Sequence, residues 1–548
     1  MAHALAGKPV QEQDIIDVQT IVDAYFDNVP DMTNPTQLVS FGTSGHRGTS
    51  VDGTFTDLHV AAITQAICDG RKQFGATGPI FVGQDTHALS QPALVTVLEV
   101  LAGNGVTAMV DCDMAFVPTP SVSRAIIRYN EEHDDKADGI IITPSHNPPD
   151  NGGIKYNTII GGPADTVVTK WIEMRANEYL TAYCESEDFK RISIDNIEPT
   201  AQVPYDYKGL YVEELGDVIN MEAIKAAGPK VLVDTLGGSG ASYWNAIKER
   251  YGLDLTIIHD DYDPTFSFMT YDHDGKVRMD CSSTYVMASV INRIGDFDLA
   301  VGNDPDYDRY GIVVSSGLIS ANTFLTLAAR YLFTTRGWKN KGVGKTVVCT
   351  TMIDKWAADA EIPVYEVPVG FKYFSQLLFD GAIGIGGEES AGASFLKKDG
   401  TVWTTDKDGM IMALLSMEIM AVMGKSALKM ADEFVEEFGN PSFGRIDAPC
   451  KKEQKQILKQ MSAELITATT VDGDPIMNIR TTSLYNDMPI DGVRVETDKG
   501  WFVARPSGTE DLYKIYGESY KGDLGLVALL TAGEEIVNAA LNGTIETE

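Results

Sequence analysis

Short apolar runs, each feeding a polar or glycine-rich turn and then a helical pattern, recur along this chain and restrict it to an α/β architecture. Pro79-Ile80-Phe81-Val82-Gly83 follows an amphipathic stretch at 58–74. Pro229-Lys230-Val231-Leu232-Val233-Asp234 precedes the turn Leu236-Gly237-Gly238-Ser239-Gly240 and a helix from about Ala241. Lys345-Thr346-Val347-Val348-Cys349 leads into a helical pattern at 352–360. Apolar runs this short, bounded by turn residues and alternating with helices, read as strands of mixed or parallel sheets. Their recurrence at intervals of about a hundred residues predicts related α/β units rather than one large sheet. At 548 residues the chain is too long for one core and divides into roughly three to five domains. The end of the chain reads differently. A charged amphipathic helix at 451–465 is followed by strand-like stretches at 492–496, 501–504 and 513–516 and a final helix at 524–541. This predicts a smaller α+β domain, with its boundary within 435–455.

The formal charge of −34 argues against nucleic-acid binding, which needs a basic face, and it disfavours an anionic membrane surface. An anionic substrate would need cations gathered locally in a cleft, against the global field. The apolar stretch 411–420 is interrupted by Ser416 and Glu418 and falls short of the ~20 residues of a membrane span, so it reads as a buried helix. Residues 1–14 lack the basic and apolar regions of a secretory leader. Six cysteines are scattered without a C-x-x-C pair, the pattern of reduced thiols. A cytoplasmic location is expected.

Four loops carry chemistry. Thr143-Pro144-Ser145-His146-Asn147-Pro148 follows the apolar run Gly139-Ile140-Ile141-Ile142 and holds one hydroxyl in a tight, proline-flanked turn. Such a hydroxyl suits a nucleophile or phosphate carrier, although proline and asparagine also form ordinary surface turns. Asp304-Pro305-Asp306-Tyr307-Asp308-Arg309 sets three carboxylates at alternate positions, able to converge on one hard divalent cation. An EF-hand is excluded, because its sixth position needs Gly and is Arg309, and its twelfth needs Glu and is Ser315. A solvated acidic turn is the bland alternative. Gly386-Gly387-Glu388-Glu389-Ser390-Ala391-Gly392 offers a carboxylate and a hydroxyl two residues apart, suited to sugar hydroxyls. Arg505-Pro506-Ser507-Gly508-Thr509-Glu510 supplies a guanidinium, hydroxyls and backbone N–H groups for a phosphate. The segment Phe41-Gly42-Thr43-Ser44-Gly45-His46-Arg47-Gly48 has a similar make-up. A kinase would need a nucleotide loop of the G-x-x-x-x-G-K-[ST] type, and the chain has none. A phosphatase has little use for a second phosphate cradle. A mutase uses all four loops.

In this order in one chain, the four loops resemble the α-D-phosphohexomutase superfamily, and most closely its bacterial, glucose-specific branch. The resemblance covers nearly the whole length. It implies three related mixed-sheet α/β domains and a smaller C-terminal α+β domain around a central cleft. The serine loop would fall in 1–205, the metal loop in 206–322, the sugar loop in 323–440 and the phosphate loop in 441–548, with the last domain mobile. It further implies a phosphorylated Ser145 that exchanges its phosphoryl group with a hexose phosphate through a glucose 1,6-bisphosphate. Mg²⁺ would be bound by Asp304, Asp306 and Asp308 together with the phosphoserine. By the same resemblance Arg47 and Arg309 flank the reacting phosphate. Lys155, with its pKa lowered toward neutrality, is the general acid/base, and His146 is a second candidate. Glu388, Ser390 and Lys407 hold the sugar side. Arg505, Ser507, Gly508 and Thr509 cradle the other phosphate. One departure stands in Val367-Pro368-Val369-Gly370-Phe371-Lys372, where glucose-specific members often carry Thr-Gly-Trp. Val369 has no side-chain donor, so only backbone contacts of Val369 and Gly370 carry over. Glu389 favours the glucose type over the glucose/mannose type. The expected partners are small hexose phosphates, as a monomer or a dimer. The alternatives are a mannose or glucosamine phosphate mutase, a metal-dependent phosphatase, and a non-catalytic relative that binds sugar phosphate.

Overall fold

The computed structural model describes residues 2–42, 45–184, 189–506 and 512–545. Four main sheets follow one another along the chain. The first contains β1 (His46–Thr49), β2 (Ile80–Gln84), β3 (Ala108–Asp111), β4 (Asp138–Ile142), β5 (Asn151–Asn157) and β6 (Gln202–Tyr205), in the order β1-β5-β4-β2-β3-β6. Its centre is parallel, while β5 runs antiparallel to both β4 and β1. Side chains alternate across it as a strand requires. Ile80 and Val82 pack with the helices Asp57–Gly70 and Ser90–Gly103, and Phe81 packs with Thr119–Glu132 on the other face.

The second sheet contains β7 (Val231–Asp234), β8 (Leu255–Ile258), β9 (Leu299–Asn303), β10 (Tyr310–Val314) and β11 (Gly317–Leu318), ordered β11-β10-β9-β7-β8. The third contains β12 (Gly342–Thr346), β13 (Val364–Val367), β14 (Ile383–Gly387) and β15 (Ala393–Phe395), ordered β13-β12-β14-β15. All three share one plan. The strands at the centre are parallel, and the last of them turns through a short loop into an antiparallel partner: β4 into β5, β9 into β10, β14 into β15. Those three loops are the serine, metal and sugar loops. The related α/β units anticipated from the sequence are therefore present, and each places its candidate loop at the same topological position.

Two boundaries differ from expectation. Residues 3–10 leave the first unit: His3 N donates to His273 O (2.8 Å) and Val10 N to Met269 O (3.0 Å), and Leu5 and Val10 pack on the apolar cluster of the second. The strand anticipated at 345–349 begins and ends earlier, at Gly342–Thr346. Val347 and Val348 form a turn whose side chains meet Ile490, Trp501 and Val503 of the C-terminal domain, so their apolarity serves a domain contact. The second and third units share a continuous core that includes Tyr211, Trp244, Phe324 and Leu414. The helix Gly409–Met423 is buried within it, as read from its composition.

The fourth sheet is antiparallel, with β16 (Ser442–Pro449), β19 (Asn478–Thr482), β20 (Pro489–Glu496), β21 (Gly500–Pro506) and β22 (Leu512–Ser519) in the order β16-β22-β21-β20-β19; a small ribbon, β17 (Thr470–Val471) and β18 (Asp474–Pro475), lies beside it. By length and composition alone the helix Gly522–Asn542 could cross a membrane. In the fold Leu526, Leu529, Leu530, Val537 and Leu541 are buried in the apolar cluster this helix shares with the sheet.

Candidate active site

The three hairpin loops converge on one point. The Ser145 hydroxyl, 1% exposed, donates to Asp304 Oδ2 across 3.0 Å, joining the first unit to the second. Ser145 has φ of 61°, a left-handed conformation that a non-glycine residue holds only where its surroundings impose it. One such constraint is the hydrogen bond from its N–H to Thr143 Oγ1 (2.7 Å). Tyr307, inside the metal loop, is held similarly at 62°. Its ring lies against Gly238 and Gly240, where an added Cβ would come within 2.9 and 2.3 Å of ring atoms. The glycine-rich turn thus seats the metal loop, and Ser239 reinforces it by donating its N–H and its hydroxyl to Pro305 O (both 2.8 Å).

Asp304, Asp306 and Asp308 are all buried, with one oxygen from each within 4.8 Å of the others. Burial, and then the neighbouring Asp306 and Asp308, hold the Asp304 carboxyl well above the usual carboxylate range. Asp306 Oδ1 and Asp308 Oδ1 are buried and accept no hydrogen bond among the described residues. Crowded, under-satisfied oxygens of this kind fit a hard divalent cation. Asp306 Oδ2 accepts from Thr119 Oγ1 (2.8 Å) and Lys155 Nζ (2.6 Å), while Asp308 Oδ2 is reached by Lys155 (3.2 Å) and Lys407 (2.8 Å). Burial disfavours the Asp308 charge, but Lys407, Lys155 and Arg309 outweigh it and lower its pKa.

Lys155 departs from expectation. Burial does disfavour its ammonium, yet Asp306 and Asp308 more than compensate, and its pKa rises instead of falling toward neutrality. His146 behaves oppositely: burial, with Arg309 next, lowers its pKa to about 3. Its Nδ1 lies 3.7 Å from Asp280 and makes no hydrogen bond among the described residues. Arg309 reaches the same Asp280 at 3.3 Å. The charge of Arg47, on β1, acts on Asp306, Asp308 and Asp304.

The sugar loop closes the ring. Arg309 and Gly392 form a β-bridge, and Tyr310 N donates to Ala391 O (3.1 Å). A narrow cleft opens here, lined by Lys155, Asp308, Phe371, Lys372, Glu388 and Lys407 among others. Burial pushes Glu388 up to about 7 against the pull of Lys407. Ser390 is half-buried on the same loop. Gly370 adopts φ of 132° and turns the chain so that Phe371 and Lys372 line the pocket. Val369 instead packs against the apolar contact between the third unit and the C-terminal domain, which gives a physical reason for its lack of a polar group. Arg505, on β21, is partly buried, and its charge acts on Glu389, Tyr373 and Tyr516. Ser507, Gly508 and Thr509, like Thr43 and Ser44, lie outside the described residues.

Sequence reasoning missed Asp280, Thr119, Lys372 and Asp406. Asp406 accepts from Asn157 Nδ2 (2.9 Å) and lines the pocket; its position beside Lys407 was the available signal. Thr119 had a weaker one, the helix start Pro118-Thr119-Pro120.

Models of four phosphoglucomutase/phosphomannomutase domains match this chain: α/β/α domains I, II and III at residues 38–182, 210–317 and 320–438, and the C-terminal domain at 447–524. The chain belongs to the phosphoglucomutase/phosphomannomutase family. Among relatives in that family, a phosphoglucomutase of Komagataeibacter xylinus is 46% identical over 539 residues, 97% of each chain. Phosphoglucomutase 1 of Saccharomyces cerevisiae is 27% identical over 526 residues, 88% of each. Two solved structures share the family fold. One is the open form of the phosphoprotein parafusin from Paramecium (TM-score 0.72, 20% identity, 94% and 96% of the two chains). The other is a phosphoglucomutase/phosphomannomutase family protein of Burkholderia thailandensis (TM-score 0.68, 21% identity, 91% and 97%).

Proposed function

We propose that this family member is a phosphoglucomutase that interconverts α-D-glucose 1-phosphate and glucose 6-phosphate, with Ser145 as phosphoryl carrier and glucose 1,6-bisphosphate as intermediate. The observation that carries the reading is the Ser145 hydroxyl held at 3.0 Å from one carboxylate of a buried aspartate triad. The 46% identity with a phosphoglucomutase supports the glucose assignment. Asp304, Asp306 and Asp308 would hold Mg²⁺, which would neutralise charge on the transferring phosphoryl group. Arg47 and Arg309 bring further positive charge to the same point. Glu388, Ser390, Lys407 and Lys372 face the sugar, and Arg505 with residues 507–509 takes the phosphate that stays in place. Turning the bisphosphate around in the cleft exchanges the two phosphates between these poles. Of the two proton-transfer candidates, Lys155 is held as an ammonium by two carboxylates and suits a proton donor, while burial and Arg309 hold His146 neutral. A binding relative without turnover would be expected to show damage at the serine or the aspartates, and these are intact.

The test is turnover of glucose 1-phosphate with Mg²⁺ and a trace of glucose 1,6-bisphosphate, following glucose 6-phosphate and free phosphate together. Glucose 6-phosphate without free phosphate is expected. Free phosphate as main product would make the protein a phosphatase. Faster turnover of mannose 1-phosphate or glucosamine 1-phosphate would move it to another branch of the family.

A further inference from the structure

Behind the serine loop lies a buried Asp–His pair that the proposed reaction leaves without a role. Asp85 and His87, in the turn after β2, are each 1% exposed. Asp85 Oδ2 accepts from Thr143 Oγ1 (2.5 Å), and Thr143 Oγ1 accepts from Ser145 N (2.7 Å). Asp85 Oδ1 accepts from Ser90 Oγ (2.6 Å) and from His87 N (3.0 Å). His87 Nδ1 lies 2.8 Å from Asp85 Oδ2, and its Nε2 lies 3.0 Å from the backbone carbonyl of Asn147. The loop is therefore gripped on both sides of Ser145, through Thr143 before it and Asn147 after it. The His87 ring also packs on Phe266 of the second unit, with ring centres 5.0 Å apart.

Hydrogen-bond accounting constrains the protonation of this ring. The Asp85 carboxylate and the Asn147 carbonyl both only accept, whereas a neutral imidazole carries a single N–H. Either neutral tautomer would leave a nitrogen lone pair facing an oxygen lone pair in a dry site, an uncompensated cost. The imidazolium donates at both ends, and the adjacent carboxylate balances its charge. Burial opposes the Asp85 charge, but His87, Ser90 and Thr143 overcome that and hold its pKa low.

We propose that His87 is a positioning residue, an imidazolium strut between Asp85 and the Asn147 carbonyl that fixes the direction of Ser145 toward Asp304. Its kinetic consequence rests on the reading of Ser145 as phosphoryl carrier; its protonation does not. The full chain labelled with ¹⁵N-histidine, compared with His87→Arg to assign the signal, is expected to show a proton on both His87 ring nitrogens in the folded protein. An unprotonated nitrogen there overturns the strut. With glucose 1-phosphate, His87→Gln is expected to lower kcat roughly a hundredfold and to leave KM within about threefold, the effect of a misdirected nucleophile on an intact binding site. His87→Arg, a cation with donors in more than one direction, recovers most of the loss. A raised KM with unchanged kcat, or an arginine variant no better than glutamine at equal thermal stability, overturns the positioning role. If glutamine prevents folding, the labelled wild-type protein still decides. If the wild type turns over no hexose phosphate, the functional reading fails while the nitrogen signals still judge the strut.

Discussion

Ser145 contributes almost nothing to the apolar cores, yet it is held in a strained conformation with its hydroxyl on Asp304. Ser145→Ala is therefore expected to abolish turnover while leaving the far-UV spectrum and Tm close to wild type; substantial residual mutase activity would remove the serine from its assigned role. Glu388 gives a pH signature. Its carboxyl rises from an ordinary 4.5 to about 7. Between those values the folded state keeps a proton that the unfolded chain has released, so this residue opposes folding increasingly as pH rises through the window. In metal-free protein, Glu388→Gln is expected to raise Tm over wild type at pH 8, with the gap closing toward pH 5. A gap independent of pH would refute the elevated pKa. At this scale the serine and the three aspartates were legible because each stands within a few residues of its own loop. Asp280 was not, since it reaches His146 and Arg309 from a segment with no motif of its own. The proton affinity of Lys155 was misjudged because its carboxylate partners lie some 150 positions away in sequence.

Among the elements, the helix Gly409–Met423 depends on its first cap. Asp408 accepts from Ile411 N (3.1 Å) and also from Tyr211 OH (2.8 Å) and Trp403 Nε1 (2.8 Å), tying the second unit to the third. Asp408→Ala removes the cap and leaves two buried donors unpaired, at a cost of about 2–4 kcal/mol. Asp408→Asn keeps a single acceptor oxygen, able to serve the cap or Trp403 Nε1 but not both, and should restore only part of the loss; thermal melts of the two variants provide the comparison. Equal loss in both would mean that both carboxylate oxygens are required there. The apolar strands at 80–84, 231–234 and 299–303 were readable because continuous burial demands continuous apolarity. β16 was not, because its half-exposed Ser442-Phe443-Gly444-Arg445-Ile446 carries no such run. Val347 and Val348 misled for the complementary reason, being apolar for a neighbouring domain rather than for their own sheet.

For the whole molecule, the C-terminal domain is joined to the third unit by the Val347–Trp501 apolar contact and by buried charge. Arg480 reaches Glu366 at 2.7 Å, and Glu366 also accepts from Leu484 N (3.3 Å). Glu366→Ala would leave Arg480 with Glu496 (3.0 Å) as its remaining carboxylate, so the loss is expected to stay below the roughly 3–5 kcal/mol of a wholly unpaired buried charge. Calorimetry is expected to show the C-terminal domain melting ahead of the rest; a single transition at the wild-type temperature would mean that the apolar contact alone suffices. The three hairpins of common topology have a consequence for how such a catalyst can change. Each unit lends one loop to the cleft from its own sheet, so the proposed phosphoryl carrier, ion holder and sugar reader stand on separate scaffolds that meet only at the loop tips. Specificity can drift in the β14–β15 turn while β4–β5 and β9–β10 stay frozen, which makes the molecule a panel of interchangeable cartridges on a shared chassis.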